Sequence, residues 1–143
     1  DQLTSDHGWN IPENEADLRK TLADLRNNGI RSSLFLDPDP AAVLNVPVVG
    51  ADRIELYTED YASHFGGPQQ DSVLQCYRDA AAKAEELNIG VNAGHDLDLS
   101  NLGKFLEVPN ILEVSIGHAL IVESLQQGIA AVIAQYHAIA NRK

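Results

Sequence analysis

Cysteine, basic residues and long apolar runs are scarce in this sequence. Cys76 is the single cysteine among 143 residues, which excludes a disulfide framework and fits a reducing compartment. Lys and Arg number 10 against 21 Asp and Glu, a formal net charge of −11. That balance argues against nucleic acid as a partner. A small phosphorylated ligand remains possible, because helix N-termini bind phosphate through backbone N–H groups.

Three kinds of segment are also missing. No apolar run approaches the ~20 residues of a membrane span, and the N-terminal residues do not resemble a signal peptide. We therefore expect a cytoplasmic protein with no membrane partner. No Gly-x-Gly-x-x-Gly or Walker lysine loop occurs, so a dinucleotide or nucleoside triphosphate site has no support. The chain begins with Asp1, and we expect it to be part of a longer protein.

The residues that are present alternate between helical and strand patterns. Hydrophobic residues make up 44%, enough for a core. Such alternation predicts parallel strands joined by helices. The chain is too short for an eight-stranded barrel, which needs ~200 residues or more, so about four βα units are expected. Strands are predicted at 30–37, 53–58, 89–94 and 112–116. Helices are predicted from Ile11, from Pro40 with a break at Pro47, and at 71–87 (with a half-buried Cys76), 99–106, 119–125 and 129–140. A polar loop is predicted at 59–70, at the ligand rim, where such loops often act as a cover.

Chemically active side chains follow or line these strands. One strand ends in Gly94-His95-Asp96, and another ends in Gly117-His118. In parallel α/β folds the carboxyl ends of strands carry the ligand site. Glu55 alternates with the apolar Ile54 and Leu56, which points Glu55 towards the interior. The alternatives are a surface turn at each Gly-His and a structural ion pair of Glu55 with Arg53 or with a residue of a neighbouring strand. No spacing diagnostic of a metal site occurs, so none is predicted.

These motifs resemble a known family. Residues 29–37, 54–58, 91–97 and 116–121 are similar to pyridoxine 5′-phosphate synthase, the ring-closing enzyme of bacterial vitamin B6 synthesis. The resemblance covers nearly the whole chain and implies the TIM (β/α)8 barrel family. Residues 1–143 would then be the C-terminal half of a single barrel domain, with about the last four βα units. The N-terminal half, with its own acid–base groups, would be absent.

The resemblance implies an activity as well. The family condenses 3-amino-1-hydroxyacetone 1-phosphate with 1-deoxy-D-xylulose 5-phosphate, and it releases pyridoxine 5′-phosphate, phosphate and water. It implies phosphorylated small-molecule substrates, no cofactor and a homo-oligomer. Because the first-half acid–base groups are missing, we expect residues 1–143 alone to be inactive.

The family's roles transfer to individual residues. His95 matches the proton donor, a role that suits an imidazole because it exchanges protons near neutral pH. Glu55 matches the glutamate that stabilises cationic intermediates. Gly117 and His118 match the phosphate-binding pair. The remaining two matches are Asp96, at a ligand-contact position that is glycine in many members, and Thr4, in the loop after the fourth strand.

Two other functions fit parts of the pattern. The chain is also compatible with a half-barrel that binds phosphate or assembles with another chain without catalysis, since a half-barrel has open sheet edges. Another phosphate-binding barrel enzyme, such as a Schiff-base aldolase, would need a lysine on a strand. That enzyme is disfavoured because no lysine lies on a predicted strand; the lysines are Lys20, Lys83, Lys104 and Lys143.

Overall fold

Helices and strands alternate along the chain as predicted. The computed structural model describes residues 6–141. Within them the elements are α1 Ile11–Asn27, β1 Ser33–Leu36, α2 Pro40–Val43, α3 Val46–Val49, β2 Arg53–Tyr57, α4 Glu59–His64, α5 Gln70–Glu86, β3 Gly90–Gly94, α6 Leu102–Phe105, β4 Ile111–Ser115, α7 His118–Gln127 and α8 Ile129–Ala140. No helix in this range is long and apolar enough to cross a membrane.

The four strands form one parallel sheet in the order β1-β2-β3-β4. Neighbours in sequence are therefore neighbours in the sheet. A doubly wound fold reverses its strand order partway, whereas a βα barrel adds each strand beside the last. The α/β class and the barrel-type arrangement are thus confirmed for the described residues, where β1 and β4 form the two edges of the sheet.

One face of the sheet is buried beneath the helices. Alternate strand residues point into this layer, as period-two geometry requires. Their exposed fractions are between 0% and 5%: Leu34, Leu36, Ile54, Leu56, Val91 and Ala93. Helix α5 packs here through a stripe rich in alanine, which allows a close approach to the sheet: Leu74, Tyr77, Ala80, Ala81 and Ala84. The opposite face, which carries Glu55, is consequently more open.

The predicted loop at 59–70 is wrong in its first half, because residues 59–64 form helix α4. Tyr61 is fully buried, and its hydroxyl donates a hydrogen bond of 2.8 Å to the carbonyl of Asn101. Its ring packs against Phe105 and Tyr77, with centroids 5.2 and 6.2 Å away. The burial of one aromatic side chain therefore fixes a segment whose remaining residues are mostly polar.

The structure confirms some of the smaller predictions from the sequence and corrects others. Cys76 lies on α5 as predicted, but it is exposed and not half-buried. The helix predicted at 99–106 is shorter, since Asp98 accepts hydrogen bonds from the N–H groups of Ser100 and Asn101 and forms a turn before α6. The break at Pro47 is confirmed: α2 ends at Val43, and Pro47 lies in the first turn of α3.

Strand β4 contains an irregularity that the sequence pattern did not predict. Val91 pairs with Ile111, but the next residue, Asn92, pairs with Glu113. Leu112 is thus the additional residue of a bulge. A bulge shifts the inward and outward alternation by one residue. It places Glu113 and Ser115 on the same face of the sheet as Glu55.

Gly8 lies against the edge of β1. Its N–H donates to Asp37 Oδ1 at 2.9 Å, and the N–H of Trp9 donates to the carbonyl of Phe35 at 2.8 Å. A Cβ atom on Gly8 would lie 2.4 Å from the Asp37 nitrogen and 2.5 Å from Leu36 Cα. Only glycine allows the two backbones to approach this closely.

We therefore expect Gly8→Ala to lower the free energy of unfolding by about 2 kcal/mol, a typical cost of overpacking against a rigid backbone. Urea unfolding of residues 1–143 would measure it. Gly103→Ala is the matched control, because its Cβ would meet only one atom within 4 Å, Ile139 Cγ2 at 3.9 Å. Since Gly103 lies in helix α6, this control should be neutral or stabilising. Equal losses for the two variants would contradict the close approach.

Candidate active site

The carboxyl ends of β2 and β3 bring an acid and an imidazole to one edge of the sheet. Tyr57 pairs with Gly94 at the ends of these strands, and the Thr58 N–H donates to the carbonyl of Gly94 at 3.1 Å. A Cβ on Gly94 would lie 2.5 Å from Glu55 Oε1. The Glu55 carboxylate therefore lies directly over Gly94, one residue before His95.

Glu55 is half-buried on the open face and is not a partner of Arg53. No ion pair joins it to any residue within 6–141, so the structural alternative is not supported there. Burial raises the pKa of the Glu55 carboxyl above its ordinary value; a hydrogen bond with Ser115 lowers it, and the charge of Glu113 raises it further. A carboxylate held with little charge compensation is suited to attract a cation.

The raised pKa predicts how Glu55 affects stability with pH. The folded state binds the Glu55 proton more tightly than the unfolded state does. The stability gained from this tighter proton binding is therefore fully present below pH 4.5, the ordinary pKa of a glutamate. It is lost as the pH rises through the raised pKa of the folded state. Glu55→Gln, which stays uncharged, should have a higher free energy of unfolding than the wild type at pH 7.

Urea unfolding at pH 7 and at pH 4 would measure this difference, which should shrink at the lower pH. Glu86→Gln on α5 is the control for loss of a surface carboxylate; its ion pair with Lys83 is exposed. A stability difference for Glu55→Gln that is equal at both pH values would contradict the prediction.

His95 lies in a strained turn that two buried side chains hold in place. His95 has φ +90° and Asp96 has φ +57°, both in the left-handed region. The Thr58 hydroxyl donates to the carbonyl of His95, and Asn101 Nδ2 donates to the carbonyl of Asp96 at 3.0 Å. Thr58 and Asn101 are 0% and 3% exposed. Strain of this kind persists where the surroundings over-determine it, often at functional sites.

The His95 ring has two neighbours that limit its orientation. Its Nδ1 lies 3.0 Å from Asp96 Oδ2. Its edge contacts Tyr57, with ring centroids 4.8 Å apart and an interplanar angle of 78°. Tyr57 in turn packs against Phe35 at 5.2 Å. The imidazole is thus held at the rim with about a third of its side chain exposed.

A charged network lies on the same face, nearer the amino ends of the strands. Arg53 Nη1 donates to Glu113 Oε2 at 2.6 Å and to Asn92 Oδ1 at 3.0 Å. Arg31 Nη2 donates to the same Glu113 oxygen at 3.0 Å. Two guanidinium groups therefore compensate Glu113, whereas no ion pair within residues 6–141 compensates the half-buried Glu55.

Gly117 and His118 follow β4 at the same edge of the sheet. Helix α7 starts at His118, and no side chain caps its first turn. Glu123 holds α7 in place by accepting hydrogen bonds from the Leu99 N–H at 3.1 Å and from the Tyr136 hydroxyl. Both Gly117 and His118 are exposed, and no hydrogen bond within residues 6–141 joins His118 to Glu55 or His95. Thr4 lies outside the described residues.

Sequence reasoning did not single out four neighbours of these residues. Thr58 and Asn101 donate hydrogen bonds that hold the His95 turn. Ser115 interacts with Glu55, and Asn92 accepts a hydrogen bond from Arg53. Asn92 could have been identified from the sequence, because the alternation of side chains along β3 places it on the same face of the sheet as Glu55. Ser115 was hidden by the bulge in β4. Among the described residues, no group of three or more His, Cys, Asp or Glu side chains could hold a metal ion.

Parallel strands in sequential order define part of a βα-barrel protein, and the candidate site, a carboxylate and an imidazole, lies at the C-terminal edge of the strands. Comparison with known proteins is more specific. The family model described as pyridoxal phosphate biosynthesis protein PdxJ matches residues 1–142. The chain belongs to this family, so the resemblance noted in the sequence is confirmed.

Curated relatives agree with this assignment. Proteins named pyridoxine 5′-phosphate synthase are 49% identical in Albidiferax ferrireducens, 45% in Xanthomonas oryzae pv. oryzae and 44% in Christiangramia forsetii. Each alignment covers 94% of this chain, but only 54%, 53% and 56% of the respective relative. The chain thus spans about half the length of the curated relatives it matches.

Proposed function

We propose that residues 1–143 form the C-terminal half of a single-domain pyridoxine 5′-phosphate synthase. The protein would condense 3-amino-1-hydroxyacetone 1-phosphate with 1-deoxy-D-xylulose 5-phosphate to pyridoxine 5′-phosphate, phosphate and water. The observation that carries the proposal is the Glu55 carboxylate lying over Gly94, next to His95, in a chain of this family. The proposal includes a cytoplasmic location and involves no cofactor and no nucleic acid.

His95 is the proposed proton donor. Water leaves during the condensation, and a departing hydroxyl must gain a proton as its bond to carbon breaks. A histidine at the rim supplies that proton and regains another from solvent. The Tyr57 ring and the Asp96 carboxylate keep the imidazole in one place. Such positioning reduces the entropy lost on reaching the transition state.

Glu55 is the proposed electrostatic partner of cationic intermediates. An amine that condenses with a ketone forms an iminium ion, and a fixed carboxylate stabilises that charge. Glu55 suits this role because burial removes water from it and no described cation neutralises it. The interaction with Ser115 lowers the pKa of the Glu55 carboxyl and so counteracts its protonation.

Substrate phosphate is proposed to bind at the start of α7. The ten-residue helix begins at the sheet edge with Gly117 before it, and no side chain occupies its first N–H groups. Free N–H groups and the helix dipole attract an anion. His118, the first residue of α7, adds a further donor. Thr4 and the Asp96 backbone complete the proposed contacts.

The proposal is tested by adding the preceding half, which we infer to carry the remaining acid–base groups. The protein that joins that half to residues 1–143, called the complete protein below, should release pyridoxine 5′-phosphate and inorganic phosphate from the two substrates. Residues 1–143 alone should release neither. Product from residues 1–143 alone would refute the proposal that both halves are needed for catalysis. Absence of product from the complete protein would overturn the proposed function.

We also propose that the complete protein is a homo-oligomer. Helices α7 and α8 expose a run of large apolar side chains: Ile121 at 58%, Leu125 at 84%, Ile129 at 57% and Ile133 at 41%. Apolar surface of this kind usually marks an association site. Sizing chromatography of the complete protein should show a multimer that Leu125→Lys weakens, and a monomer would contradict the proposal.

A further inference from the structure

We infer that Asp96 is a positioning residue for His95, one that decides which nitrogen of the imidazole carries the proton. The inference rests on the proposed function, since His95 acts there as proton donor. Its basis is the contact of 3.0 Å between His95 Nδ1 and Asp96 Oδ2. Asp96 then acts through His95 and not by touching the reacting atoms.

The chemistry of the pair fixes the tautomer. An ionised carboxylate can only accept hydrogen bonds, so the nitrogen facing it must carry a hydrogen. In the neutral ring Nδ1 is therefore the donor, and Nε2 has the free lone pair. No described residue is hydrogen-bonded to Nε2. As the proposed proton donor, His95 is the imidazolium with a hydrogen on each nitrogen. It gives the Nε2 proton to the substrate and is left as this neutral tautomer, while the Nδ1 hydrogen stays on the ring and hydrogen-bonded to Asp96.

The backbone of Asp96 has a conformation that costs free energy for a residue with a side chain. Asp96 has φ +57°, a conformation that glycine adopts without strain. Thr58 and Asn101 hold the turn by donating hydrogen bonds to the backbone carbonyls of His95 and Asp96, respectively. Neither of these hydrogen bonds involves the Asp96 carboxylate. The side chain is therefore not needed to form the turn. What it adds, and glycine would not, is the acceptor for Nδ1.

Other charges near the ring do not replace this acceptor. Tyr57 contacts His95 through its ring. Glu55 Oε1 lies over Gly94, and Glu55 interacts with Ser115. Glu59 and Asp37 contribute to the negative potential around Tyr57 but form no hydrogen bond with His95. Asp96 is thus the described carboxylate in contact with the imidazole.

The first test reads the tautomer directly and does not depend on catalysis. Long-range 1H–15N spectra of the complete protein should show His95 with Nδ1 protonated and Nε2 unprotonated in its neutral form. Asp96→Gly should lose that preference, and Asp96→Asn should keep it, because the amide oxygen still accepts a hydrogen bond. An unchanged His95 tautomer in Asp96→Gly would overturn the inference.

The second test uses kinetics and stability together. Asp96→Gly should lower kcat by about 10-fold with KM nearly unchanged, as expected for loss of an orienting partner. The same variant should be at least as stable as the wild type, because glycine relieves the left-handed strain. Asp96→Asn should recover most of kcat. A purely structural Asp96 would give the opposite pairing, with lower stability in Asp96→Gly and kcat retained in the folded fraction.

A matched control exists on α4. His64 Nδ1 lies 3.1 Å from Asp60 Oδ1, a second His–Asp pair of similar exposure outside the site. Asp60→Asn should leave kcat unchanged, and an equal loss in Asp60→Asn and Asp96→Gly would refute a specific role for Asp96. If the wild-type complete protein makes no product, the proposed function fails, but the tautomer measurement still decides the positioning role.

Discussion

His95→Ala in the complete protein is expected to lower kcat by about 1000-fold, within the usual range for loss of a general acid. The departing hydroxyl would then leave without a positioned proton. The free energy of unfolding should change little, because the imidazole is partly exposed. The hydrogen bond from the Thr58 hydroxyl is also kept, since it goes to the backbone carbonyl of residue 95. Steady-state release of pyridoxine 5′-phosphate, with circular dichroism of the same sample, measures both effects.

Two further variants make this result decisive. His95→Asn keeps a residue type that tolerates positive φ, so it separates loss of the imidazole from backbone strain. It should be as inactive as His95→Ala. His64→Ala removes a histidine of similar exposure on α4 and should retain full activity. Normal turnover in a folded His95→Asn protein would remove His95 from the mechanism.

Glu55→Gln is expected to lower kcat by about 100- to 1000-fold, the loss seen when one electrostatic contact to a charged transition state is removed. The amide preserves the shape and the hydrogen bond to Ser115 but not the negative charge. KM should change less than kcat, since the contact strengthens only when the cation forms. Glu86→Gln on α5 serves as the control and should behave like the wild type.

Gly94→Ala tests the same carboxylate without altering it. The new methyl group would lie 2.5 Å from Glu55 Oε1 and 3.0 Å from Ser115 Cβ. The Glu55 side chain must therefore move away from its observed position. We expect a loss of kcat similar to that of Glu55→Gln, and full activity in Gly94→Ala would show that this position of Glu55 is not the one used.

The general architecture could be predicted from the sequence because local patterns encode it. Alternating apolar residues such as Ile54 and Leu56 distinguish the covered face of a strand from the open face. Proline and glycine positions mark where helices begin and end. The helical part of 59–70 was missed because only Tyr61 signals it, and its burial depends on Phe105 and Tyr77, which are distant in sequence.

The candidate site was predictable to a similar extent. Histidine after glycine at two strand ends, and a glutamate between apolar residues, identified Glu55, His95 and His118 as candidates. The turn geometry was not predictable, since positive φ at His95 and Asp96 depends on Thr58 and Asn101. The sequence also does not reveal that Arg53 pairs with Glu113 and leaves Glu55 without a described cation.

The amino-acid sequence by itself determined the order of elements, the parallel sheet and the inward position of Glu55, because each depends on residues that are close along the chain. Tertiary structure decided which side chains surround Glu55 and His95. The bulge at Leu112 illustrates the reason: one additional residue reverses the alternation of β4, and whether it forms depends on pairing with β3. Ser115 reaches Glu55 only because that pairing is made.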